Sequence, residues 1–137
     1  MLQAAAQAAS APGAPKLLAV TVVTSMDAAE LAGVGVSDSP SAQVLRLAKL
    51  AQAAGIDGLV CSAEEVGAIR AAMGPTATLV VPGIRPTGAD LNDQRRVASP
   101  GDAIARGASM LVVGRPITRA SDPAEAAAGI LAQIATG

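Results

Sequence analysis

An arginine beside a glycine can grip an anion, and the sequence offers such a pair in Val112-Val113-Gly114-Arg115-Pro116-Ile117-Thr118. Glycine lets backbone N–H groups come close to an oxyanion. The guanidinium presents a planar fork of donors that matches phosphate oxygens. The residues alone leave another reading open, in which Gly114 eases a tight turn and Arg115 is solvated. A second arginine sits in Pro82-Gly83-Ile84-Arg85-Pro86, ahead of the polar stretch Thr87-Gly88-Ala89-Asp90-Leu91-Asn92-Asp93-Gln94-Arg95-Arg96. Connections in strand–helix proteins usually run about 2–6 residues. A longer polar loop on a rigid scaffold points to a lid or binding loop, and a disordered excursion is the alternative. Thr24 and Ser25 supply hydroxyls after an apolar run, followed by Met26 and Asp27. They could bind a ligand or cap the next helix, the commoner role of Ser and Asp in such a place.

The missing residue types exclude as much as the present ones suggest. There is no His, Phe, Tyr or Trp, and Cys61 is the single cysteine. No imidazole can therefore act as acid, base or ligand, and no base can stack on an aromatic ring. Metal and cofactor sites are expected to be none: a metal constellation would need His or more Cys, and neither a Gly-x-Gly-x-x-Gly nor a Walker-type loop follows a strand. Cys61 reads as a small core residue, with no histidine to activate it. The only lysines are Lys16 and Lys49. Lys16 precedes the first apolar run and Lys49 sits mid-helix, so neither is placed like a catalytic lysine. A net charge of −1 with 15% charged residues leaves no basic patch for nucleic acid. The apolar runs are far shorter than the roughly 20 residues of a membrane span, and Met1-Leu2-Gln3-Ala4 lacks a basic signal region. With its lone cysteine, the chain is expected in the cytoplasm. The loss of four residue types reads as a restricted alphabet, natural or engineered, in which Ala, Val, Leu, Ile and Met fill the core.

The elements that must carry these groups alternate. Residues 1–10 are Ala-rich and helical, stopped by Ala11-Pro12-Gly13. Residues 17–23, 58–61, 78–81 and 110–113 are apolar runs that read as buried strands. Between them, 28–31 forms a helical turn and 39–54 a helix ended by Gly55. Ser62 with Glu65 three residues on resembles a capping box opening a further helix. Ser99-Pro100 and Asp122-Pro123 open two more, with a cap followed by proline in the first turn. Short links between alternating strands and helices predict parallel strands, and strands apolar throughout predict cover on both faces. The fold class is α/β: half of a (β/α)₈ TIM-type barrel, four parallel strands alternating with helices. An open four-stranded sheet remains the alternative, since periodicity cannot separate the two. All 137 residues read as one domain, with residues 1–16 a residual helix and linker.

Five stretches together carry a resemblance. They are 18–26, 57–65, 82–86, Asp93-Gln94-Arg95-Arg96 and 114–118, in that order. The chain resembles the C-terminal half of bacterial orotidine 5′-monophosphate decarboxylases over nearly its whole length. The resemblance implies that Thr24 contacts the nucleotide after the fifth barrel strand and that Arg85 lines the ligand site after the seventh. It further implies that Gln94 closes over the phosphate and that Gly114 and Arg115 hold it after the eighth strand. The family's catalytic Asp-x-Lys-x-x-Asp array, which works without metal or organic cofactor, has no counterpart here, so no residue is assigned a catalytic role. By the same resemblance the chain begins inside the parent's fourth helix. Three readings follow: a half-barrel keeping the phosphate half-site, an active decarboxylase when an N-terminal half-barrel joins it, or a self-associating structural module. The expected partners are a phosphate or nucleoside monophosphate and further copies of the chain, with neither nucleic acid nor membrane among them.

Overall fold

The computed structural model describes residues 1–86 and 96–135. Four parallel strands, β1 (Leu18–Val20), β2 (Gly58–Val60), β3 (Thr78–Val81) and β4 (Met110–Leu111), form one sheet in the order β1-β2-β3-β4. Around them run α1 (Leu2–Ala8), α2 (Ala28–Gly33), α3 (Pro40–Ala53), α4 (Val66–Met73), α5 (Pro100–Ala105), α6 (Arg115–Thr118) and α7 (Pro123–Ala135). β3 fills its apolar run of 78–81, while β1, β2 and β4 are shorter than theirs because the ladder stops where the chain turns toward the next helix. Gly58 is required in β2: a Cβ there would lie 2.6 Å from Leu18 Cδ2 and 2.7 Å from Leu17 O.

Successive strand residues face opposite sides of a sheet. Ala19, Leu59 and Leu79 are in register and turn toward the helices. There Leu59 and Leu79 pack with Val44, Ala48 and Ala51 of α3 and Val66 and Ile69 of α4 in one buried cluster. The next row, Val20, Val60, Val80 and Met110, faces the other way. The expectation of cover on both faces fails at the two ends of this row, while Val80 between them is buried. Val20 and Met110 are each 60% exposed, and Leu18 and Val112 are exposed beside them. The strands are apolar throughout because this row would line a closed barrel's interior, and half a barrel leaves its outer positions open.

Caps account for several boundaries. Ser99 Oγ accepts from Asp102 N at 3.2 Å, and Asp122 Oδ1 accepts from Ala124 N and Glu125 N at 2.9 and 3.0 Å. A reciprocal capping box does occur, but at Asp27 and Glu30, with bonds of 3.0 and 2.9 Å. The one expected at Ser62 and Glu65 is absent. Ser62 Oγ accepts from Glu64 N at 3.1 Å, and α4 starts only at Val66. Under the sheet, at the start of the strands, Arg70 is a staple. It donates to the carbonyls of Pro75, Ala77 and Gly107 and to Ser109 Oγ, tying α4 to the entries of β3 and β4.

Candidate functional site

Parallel strands deliver their following loops to one edge of the sheet. Thr24 follows β1, Arg85 follows β3, and Gly114 and Arg115 follow β4, so all four lie beyond the C-terminal ends. Capping of α2 falls to Asp27, and Thr24 is buried. Arg85 is buried too: its Nη1 donates to Ile84 O at 2.8 Å, and its backbone N–H donates to Ala98 O at 2.9 Å. Gly114 caps α6, its carbonyl accepting from Ile117 N at 2.9 Å and Thr118 N at 3.0 Å. A Cβ at Gly114 would meet nothing within 4 Å, so the space beside it is open. Arg115 is half-buried as the first residue of α6. Gln94 lies outside the described residues.

Two charged residues join this edge unannounced. Arg96, read from sequence as part of a polar loop, is 8% exposed, and Glu65, read as a capping residue, is 2% exposed. Arg96 Nη1 donates to Glu65 Oε1 at 2.5 Å, and Nη2 donates to the carbonyls of Val22 and Val23, both at 3.1 Å. Ser41 Oγ of α3 adds a bond to the same carboxylate oxygen at 3.3 Å. Thirty-one positions separate Glu65 from Arg96, and no local spacing rule reaches that far. The one cue in the sequence is a carboxylate, Glu65, set directly before the apolar start of α4.

Elsewhere, a groove of about 460 Å³ runs between α5, β4, α6 and α7 and is lined by Ile104, Met110, Leu111, Ile117 and Ile130 among others. Its lining is mostly apolar and holds no charged side chain for a phosphate. Among the described residues no helix is long and apolar enough to cross a membrane.

Four parallel strands in sequential order, alternating with helices, are the pattern of one half of a barrel, and comparison with known proteins says which barrel. A family model described as orotidine 5′-phosphate decarboxylase / HUMPS family matches residues 1–130. The chain belongs to that family. The orotidine 5′-phosphate decarboxylase of Halorhodospira halophila is 56% identical over 136 residues, 98% of this chain and 58% of that protein. That of Gluconobacter oxydans is 56% identical over 122 residues, 89% of this chain and 52% of the relative. The crystal structure of orotidine 5′-phosphate decarboxylase from Lactobacillus acidophilus superposes with a TM-score of 0.79 at 37% identity, covering 98% of this chain and 58% of that one. The chain thus spans a little over half the length of these relatives. As a member of the orotidine 5′-phosphate decarboxylase family it is half of a (β/α)₈ barrel.

Beneath the site, the cysteine of this family member is 1% exposed. Burial pushes the Cys61 thiol from 9.0 up to about 12, with the negative charge of Glu65 adding to the rise and Arg70 and Arg96 opposing it. Unfolding releases a thiol that ionises near 9, so between pH 9 and 12 the unfolded chain binds fewer protons than the folded one. Stability from this group is complete below pH 9 and is lost as pH rises toward 12. Urea unfolding at pH 8 and pH 10.5 should show a steeper alkaline loss for the wild type than for Cys61→Ala, by on the order of 1–2 kcal/mol. Parallel losses in the two proteins would show that the thiol does not contribute.

Proposed function

We propose that this chain binds orotidine 5′-phosphate, or a similar nucleoside monophosphate, through Thr24, Arg85, Gly114 and Arg115, with Gly114 and Arg115 on the phosphate and Gln94 contributing there as the family resemblance implies. The observation that carries the reading is the parallel sheet itself, which sends the four described residues to one edge. Membership of a family named for a phosphate-bearing substrate supports it. Arg115 supplies the charge-assisted donors, the open space beside Gly114 admits an oxyanion, and the Thr24 hydroxyl is suited to the sugar side of the ligand.

For these 137 residues taken by themselves, the proposed role is binding without chemistry. Decarboxylation in this family depends on an Asp-x-Lys-x-x-Asp array, and this sequence contains none. The chain becomes part of a decarboxylase only when an N-terminal half supplies that array. Charge-assisted bonds to phosphate are worth about 1.5–3 kcal/mol each. Arg115→Ala should therefore weaken uridine 5′-monophosphate binding roughly 10- to 100-fold, measured by calorimetric titration. Unchanged affinity in that variant would move the phosphate site elsewhere.

A further inference from the structure

We propose that Arg96, held by Glu65, is a positioning residue that sets the place of Thr24 relative to Arg85. The proposal rests on reading those two as ligand groups. The ladder fixes neither of them directly. β1 ends at Val20 and β3 at Val81, each four residues short of Thr24 and Arg85, and β2 lies between the two strands. Beyond the ladder, Arg96 bridges the gap. Its Nη2 holds the Val22 and Val23 carbonyls, the last two before Thr24. Two residues further along the chain, Ala98 O accepts from Arg85 N at 2.9 Å and Ala98 forms a bridge with Ile84. Arg96-Val97-Ala98 is thus a short strut with the end of β1 at one side and the end of β3 at the other. Glu65, arriving after β2, aims the guanidinium from the middle strand.

Stability is a poor reason for such an arrangement. A buried ion pair must recover the desolvation of both charges, and replacing it with apolar residues of similar size is often neutral or stabilising. This pair also leaves Glu65 Oε2 and Arg96 Nε without a hydrogen-bond partner among the described residues. Apolar residues can fill the volume. They cannot reach out and hold the two carbonyls before Thr24.

The test compares the full chain with the double variant Glu65→Leu/Arg96→Met and the single variant Arg96→Lys, whose one ammonium cannot serve Glu65 and both carbonyls together. Uridine 5′-monophosphate affinity should fall ~10-fold or more in each, because misplaced groups lose most of their binding geometry. The amide resonances of Val23, Thr24, Ser25 and Arg85 should shift without ligand, while the unfolding midpoint of the double variant stays within a few degrees of wild type. Glu65→Gln, which keeps an acceptor for the guanidinium, should retain most of the affinity. Affinity within twofold of wild type in both Arg96 variants, with unmoved amides, overturns the proposal. Collapse of the fold in both does so as well, since it makes the pair structural. If wild type binds no nucleotide, the site reading fails, and the amide shifts decide this proposal by themselves.

Discussion

Orotidine 5′-phosphate incubated with the purified chain is expected to lose carbon dioxide no faster than in buffer. Enzymes accelerate reactions by about 10⁶- to 10¹⁷-fold, largely through charges held in place before the reaction begins. The chain has no lysine with which to do this. Lys16 precedes β1, at the edge of the sheet opposite the strand ends, and Lys49 is exposed on α3. A phosphate held at Arg115, as proposed above, would lower the energy of ground state and transition state alike, which gives no rate. A second chain carrying the Asp-x-Lys-x-x-Asp half of a relative should restore release by several orders of magnitude when mixed in, and the same mixture made with Arg115→Ala should restore less. Trapping and counting the released carbon dioxide decides both points. Clear turnover by the unmixed chain would mean that another group does the chemistry.

Sedimentation equilibrium should show the chain as a dimer or larger assembly at tens of micromolar. The row Val20, Val60, Val80 and Met110 carries no charge, and at its two ends Val20 and Met110 are 60% exposed. Among the described residues both outer strands, β1 and β4, also keep an open edge. Unpaired edges beside apolar surface invite association, and a twofold pair is the commonest closed solution. Two copies can set β1 of one beside β4 of the other, so that eight strands close over the two open faces. Val20→Lys/Met110→Lys puts two charges where that contact forms. Because both sites are exposed in the single chain, the folded monomer should survive, with association weakened by 100-fold or more. Compact monomers of the wild type at the highest concentration would show that one copy is stable with its face open.

The alternation of strands and helices was readable because four apolar, β-branched runs stand between helices with their own start signals. Ser99-Pro100 and Asp122-Pro123 worked as caps because capping is decided within three residues. The same local logic misassigned Glu65, whose carboxylate goes to Arg96. Nothing within three residues distinguishes a capping glutamate from one drawn away by a distant arginine. The turn α6 went unseen because a four-residue helix containing Pro116 has too little periodicity to register. Thr24, Arg85, Gly114 and Arg115 could be singled out from residue type and family likeness. The tie that joins two of their strand ends is a contact across 73 and 74 positions, made by folding and invisible to spacing.

The lone thiol turns the molecule into its own clock. Alkylation needs a thiolate that a reagent can touch, and Cys61 is 1% exposed with its ionisation pushed up to about 12. Near neutral pH the intact protein should be almost inert to iodoacetamide, so each modified chain records an excursion in which β2 has come away from its helices. If reclosing outpaces the reagent, the ratio of this slow rate to that of an unfolded peptide gives the population of the opened form. A chain with neither tryptophan nor tyrosine to follow by fluorescence thus carries a chemical gauge of how often its core comes apart.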